Sequence, residues 1–84
     1  MYYNYVLRDK ETGEYYIGFC SDVSKRLKEH LTKQVFSTRQ YKSLELVYLE
    51  GCNSKTDVLI REKQLKTGFG KGYIKKRIKN YIAK

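Results

Sequence analysis

Residues 15–31 read Tyr15-Tyr16-Ile17-Gly18-Phe19-Cys20-Ser21-Asp22-Val23-Ser24-Lys25-Arg26-Leu27-Lys28-Glu29-His30-Leu31, and within this run the pattern changes from strand to helix. The first six residues are rich in aromatic and β-branched side chains, which suit a pleated, half-buried strand. From Asp22 onward Val23, Leu27 and Leu31 recur every fourth residue, the spacing of one helix face, and Ser21 is placed to cap the first turn. The spacing predicts a helix over 22–32. Arg26 and His30 stand one turn apart beside that apolar stripe, so their side chains are expected next to each other at the edge of the buried face.

Upstream, residues 2–7 are β-prone and 9–13 are turn-forming, which makes a β-hairpin with its second strand over 14–20. Downstream, a polar and basic connection over 33–42 leads to a strand over 44–50. Its two alternating sets, Leu44, Leu46, Tyr48 and Glu45, Val47, Leu49, both hold apolar members. That predicts a central strand covered on both faces. Ser54 can cap a second helix running to about residue 66, with Asp57 in its electropositive first turn. Thr67-Gly68-Phe69-Gly70 is expected to end it with a left-handed glycine. A third helix then carries Tyr73, Ile74, Ile78, Tyr81 and Ile82 as one apolar stripe, with Lys75, Lys76, Lys79 and Lys84 on the other face. The order is ββαβαα, an α+β fold.

At 84 residues the chain is expected to form one domain over 1–84. No stretch approaches the ~20 apolar residues of a membrane span, and the N-terminus lacks the pattern of a secretory signal, so a cytoplasmic location is expected. Cys20 and Cys52 lack CxxC spacing and read as small core thiols, and a single histidine cannot complete a structural zinc site. Eighteen Lys and Arg against nine Asp and Glu give a net charge of +9, a field that attracts a polyanion. Basic residues are spread along the chain instead of clustering, which favours nucleic acid over an anionic membrane as partner. Lys71, Lys75, Lys76 and Lys79 are the expected nucleic-acid contacts.

Nine tyrosines are a surplus, although each one alone would suit a strand. Arg26 alone reads as a surface cation and His30 as a solvated polar residue. Glu62 is more informative, because Val58 four positions before it and Leu65 three after it place a carboxylate on an apolar helix face. Such a carboxylate needs a partner, and a salt bridge to Lys63, Lys66 or a residue of another helix would supply one.

Taken together, Tyr3-Asn4-Tyr5-Val6-Leu7, Tyr15-Tyr16-Ile17-Gly18, Ser21-Asp22 with Lys25-Arg26-Leu27 and His30, and Arg61-Glu62-Lys63-Gln64-Leu65-Lys66 resemble the GIY-YIG nuclease domain over nearly the whole chain. The likeness is greatest to small members related to the N-terminal nuclease domain of the bacterial nucleotide-excision-repair endonuclease. The resemblance implies a three-stranded antiparallel sheet flanked by helices and a metal-dependent endonuclease acting on duplex or branched DNA, with no small-molecule cofactor. It implies that Tyr5 and Tyr16 line the site and orient or activate water, that Arg26 binds phosphate, and that His30 matches a position used as a general base. Glu62 matches the carboxylate that holds one divalent metal, Mg²⁺ or Mn²⁺. The first motif departs from the family in reading Tyr3-Asn4-Tyr5 instead of Gly-Ile-Tyr. Asn80 lies further downstream than the asparagine many members carry. The rival readings are a non-catalytic nucleic-acid-binding module on the same fold and a protein-interaction domain with a tyrosine-rich sheet.

Overall fold

The computed structural model describes residues 1–82, with the side chain of Ile82 excepted. Three strands, β1 (Tyr2–Asp9), β2 (Tyr15–Cys20) and β3 (Leu44–Cys52), form one antiparallel sheet in the order β2-β1-β3. The helices are α1 (Val23–Leu31), α2 (Lys55–Leu65), α3 (Gly68–Arg77) and α4 (Lys79–Ile82), and a 3₁₀ turn spans Phe36–Thr38. This is the expected α+β fold, with one helical layer on each face of the sheet. Val6 and Ile17 pack against Leu65 of α2 and Ile74 of α3 on one face. Tyr5, Leu7 and Cys20 pack against Val23 and Leu27 of α1 on the other.

The central strand is therefore β1, not the strand expected over 44–50. Both phases of that strand hold apolar residues because it is irregular. Val6 lies opposite Tyr48 and Leu7 opposite Leu46, which leaves Val47 as an extra residue. The bulge changes the phase of the pleat. Leu44 and Leu46 thus join the layer under α1, while Val47 and Tyr48 join the layer under α2 and α3.

Side chains set the ends of the elements. Asp22, not Ser21, caps α1 by accepting from the Lys25 N–H at 3.0 Å, and Ser54 caps α2 by accepting from the Asp57 N–H at 3.2 Å, as expected. Gly13 adopts φ 76° in the β1–β2 turn, where its N–H donates to the Asp9 carbonyl at 2.7 Å. Asp9 itself is buried, and its carboxylate accepts from the Thr12 and Ser43 N–H groups, tying that turn to the segment before β3. Burial pushes its pKa up, but the bonds from Ser43 and Thr12 outweigh this and leave it lower than usual.

The expected left-handed glycine after α2 is absent. Thr67 caps α3 by accepting from the Gly70 N–H at 3.3 Å, so Gly70 lies in the first turn of α3. It is buried there, and a Cβ would run into the backbone of Leu65. The glycine permits close approach of two chain segments. The single stripe expected for the third helix is also interrupted, because Ile78 leaves helical geometry between α3 and α4. Ile74 and Ile78 are buried but Tyr81 is exposed. The contributions expected of the Ile82 side chain and Lys84 lie outside the described residues. Lys75, Lys76 and Lys79 are exposed as expected.

Gly70→Ala should destabilise the domain by roughly 2 kcal/mol or more, since the obstructing atoms are backbone and cannot rotate away. A thermal melt should show a fall of roughly 10 °C for a domain of this size. An unchanged midpoint would mean that the α2–α3 turn opens freely.

Candidate active site

The pairing of β1 with β2 places Tyr5 opposite Gly18 and Leu7 opposite Tyr16, with all four on the α1 face of the sheet. Gly18 makes the site possible. A Cβ at that position would stand 2.5 Å from the Tyr5 hydroxyl oxygen and 2.7 Å from its ring carbon Cζ. Without it the Tyr5 ring lies across the neighbouring strand and carries its hydroxyl toward α1.

There the hydroxyl meets two side chains of α1. Arg26 Nε donates to Tyr5 Oη at 3.3 Å, and His30 Nε2 lies 2.8 Å from the same oxygen. His30 Nδ1 is 2.7 Å from Thr38 Oγ1. Both ring nitrogens are thus satisfied inside the protein, which permits a histidine to be 0% exposed. When Tyr5 donates to Nε2, the ring carries its proton on Nδ1 and gives it to Thr38. The reverse tautomer reverses both bonds. Tyr16 closes the cluster, its ring centroid 5.1 Å from that of His30 and 6.3 Å from that of Tyr5.

The expectation that Arg26 and His30 stand together at the edge of the buried face holds only for Arg26. The arginine side chain is 37% exposed and shares its guanidinium with Glu29, whose Oε1 accepts from Nη1 at 3.1 Å. His30 is the buried residue of α1, while Leu31, expected within the stripe, is exposed. Arg26 opens on a groove of about 510 Å³ lined by Phe19, Asp22, Lys25 and Glu29.

Burial pushes the Tyr5 phenol up to about 12, against the pull of the Arg26 hydrogen bond, so Tyr5 is protonated at neutral pH. Burial and the neighbouring Arg26 charge hold His30 below its ordinary 6.5, so His30 is neutral and able to accept a proton.

Glu62 stands apart from this cluster. It lies on α2, its side chain is 17% exposed, and its polar partner among the described residues is Lys66 at 3.6 Å. No group of three or more His, Cys, Asp or Glu residues suited to a metal occurs among the described residues. A single carboxylate weakly held by one lysine still fits a hard cation, since Mg²⁺ takes one or two carboxylates and keeps water and phosphate oxygens for the rest. The well-paired acid on that side of the sheet is Glu50, which accepts from Arg61 Nε at 2.5 Å and from the Tyr48 hydroxyl at 2.8 Å. Lys71 and Lys75 face the β1–β2 turn across a groove of about 380 Å³ that also contains Tyr15 and Tyr41. Lys76 and Lys79 are exposed near them in sequence.

Two contributors escaped the sequence reading. Glu29 was legible in principle, three residues after Arg26 on one helix. Thr38 was not, because it sits in an aperiodic connection and becomes relevant only once the chain folds back on His30.

The family model for the GIY-YIG catalytic domain matches residues 1–77, and the chain belongs to the GIY-YIG family. A UPF0213 protein of Fusobacterium nucleatum subsp. nucleatum is 34% identical over 84 residues, covering 99% of this chain and 78% of that protein. No solved structure matches the chain. Among the described residues no helix is long and apolar enough to cross a membrane.

His30 gives the site a pH signature. Its folded-state pKa is depressed, so below about pH 6.5 the unfolded chain binds the proton that the folded chain refuses. The associated stability is fully present above that pH and is lost as pH falls through the window beneath it. Denaturant melts from pH 7.5 to 5 should show declining stability, and His30→Gln should remove most of the slope. Asp9 and Glu50, also depressed from ordinary values of 3.8 and 4.5, act at lower pH and leave this window to the histidine. A wild-type slope in the variant would exclude His30 as its source.

Proposed function

We propose that the chain, as a single domain over 1–84, is a metal-dependent DNA endonuclease that hydrolyses phosphodiester bonds in the cytoplasm, on intermediates of DNA repair or recombination. The observation that carries this reading is the Tyr5 hydroxyl held between Arg26 Nε and His30 Nε2. Hydrolysis needs a nucleophile stripped of its proton and a cation against the phosphorane. A water beside Tyr5 Oη loses a proton to that oxygen as Tyr5 passes its own proton to His30 Nε2, and the resulting hydroxide attacks phosphorus. The passage suits a phenol whose pKa is about 12, because no free phenolate has to accumulate. His30 acts through Tyr5, and Thr38 orients its ring. The Arg26 fork takes the non-bridging oxygens, and Tyr16, half-buried beside the pair, orients the water. Glu62 would hold a divalent cation, Mg²⁺ or Mn²⁺, and such an ion supplies charge neutralisation at the departing 3′ oxygen. Lys71, Lys75, Lys76 and Lys79 would hold the DNA backbone.

The test is nicking of plasmid DNA with Mg²⁺, with Mn²⁺ and with chelator. Glu62→Gln should abolish cleavage and leave the fold intact. Its long, partly exposed pair with Lys66 is worth about 1 kcal/mol or less, so the melting curve should barely move. Arg26→Lys keeps the charge but loses the planar fork, and turnover should fall while the fold persists. A folded Glu62→Gln protein that still cleaves with Mg²⁺ would eliminate this mechanism.

Binding should be mainly electrostatic. In chelator, replacing Lys75, Lys76 and Lys79 with Ala should lower the slope of log affinity against log salt by roughly two to three, at about 0.9 per phosphate contact. An unchanged slope would place the DNA on another face.

A further inference from the structure

Phe36 opens the 3₁₀ turn Phe36–Thr38 and is 75% exposed, more than any other large apolar residue described. The guanidinium of Arg39 sits 4.3 Å from the centroid of its ring. Thr38, between them, is fully buried and bonded to His30 Nδ1, and its backbone N–H and carbonyl close bonds to Val35 and Tyr41. The turn is therefore fastened to the candidate site at its last residue, while Phe36 and Ser37 before it and Arg39 after it project into solvent. From Lys33 to Ser43 the chain carries Lys33, Arg39 and Lys42 and no acidic residue. An aromatic ring with a guanidinium stacked over it and a purely basic surround are complementary to a flat, uncharged ring on an anionic backbone. The exposed Phe69 is different, because it stacks on Tyr73, whose ring already has the guanidiniums of Arg61 and Arg77 over it and whose hydroxyl lies 3.2 Å from that of Tyr48.

We infer that Phe36 and Arg39 form a stacking platform for an unpaired nucleobase of the DNA, so that the site prefers flapped, gapped or bulged substrates to plain duplex. The inference rests on the proposed DNA endonuclease reading. Phe36 takes the base face, Arg39 the adjacent phosphate, and Thr38 fixes the distance from platform to site. Stacking tolerates any base, so the preference is for an unpaired structure and not for a sequence.

The test uses a flapped DNA with 2-aminopurine at the first unpaired position, in chelator so that cleavage is not required. Wild type should quench the 2-aminopurine fluorescence on binding. Phe36→Ala should abolish the quenching and weaken flap binding roughly five-fold or more while plain duplex affinity stays the same. Phe36→Trp, which restores an aromatic face, should recover both. Arg39→Ala should lower the salt slope by about one. Phe36 is exposed, so its variants should melt like wild type, and the Trp variant is read if the Ala variant does not. Unchanged quenching and flap affinity in Phe36→Ala would overturn the inference. So would sedimentation in which Phe36→Ala splits a dimer without altering DNA binding, because a second copy would then be the occupant. Quenching without cleavage in Mg²⁺ or Mn²⁺ would leave the platform standing and remove the endonuclease reading; cleavage without quenching would do the opposite.

Discussion

The contact between the Tyr5 ring and the bare backbone of Gly18 is the constraint on which the candidate site depends. β2 must present no side chain there, since a Cβ would stand 2.5 Å from the Tyr5 hydroxyl oxygen. With that space open, the hydroxyl reaches α1, and α1 can bury a histidine because Tyr5 and Thr38 satisfy both of its nitrogens. A buried histidine lacking either partner would leave a ring nitrogen unpaired, at a cost of roughly 1–3 kcal/mol. Hairpin register, helix packing and the 33–43 connection are thus joined through one imidazole ring.

Much of this was legible because hairpin and helix signals are local. The spacing of Val23 and Leu27, the Ser54 cap and the turn before Gly13 each depend on neighbours a few residues away. What failed depended on residues distant in the chain. Strand β3 looked central because apolar residues occupy both of its phases, yet a bulge at Val47 divides them between two layers at an edge. Gly70 looked like a helix stop, yet its role is to let two backbone segments touch. His30 looked like an edge residue because periodicity counts it as polar, and only its two partners reveal why it replaces Leu31 in the interior. For the candidate site, the local pairing of Arg26 with His30 could be read, whereas the Tyr5 bond and the Thr38 anchor belong to the tertiary structure.

The sheet also separates two kinds of polar chemistry. On the α1 face a phenol, an imidazole and a guanidinium share one hydrogen-bonded chain with no carboxylate touching the tyrosine. On the α2 face Glu50 is satisfied by Arg61 and Tyr48, and its pKa stays low because those bonds outweigh the effect of burial. Glu62, one residue beyond Arg61, has among the described residues one loosely held lysine, Lys66 at 3.6 Å. The contrast between adjacent helix positions matters. A carboxylate already committed to an arginine is a poor metal ligand, whereas one paired loosely with an exposed lysine can exchange that partner at little cost.

The same exchange logic applies to Arg26. Its Nε is committed to Tyr5, and Nη1 is held by Glu29, so one edge of the fork is occupied. The Glu29 pair is partly exposed and lies within one helix turn, a class of interaction worth about 0.3–0.5 kcal/mol. A phosphate offers two oxygens to a planar donor and gains a charge-assisted, bidentate bond. If phosphate is what the groove receives, it can displace Glu29 without disturbing the Nε bond to Tyr5. Glu29 then keeps the guanidinium extended over the groove until the anion arrives, and the bond that holds Tyr5 is the one that does not have to break.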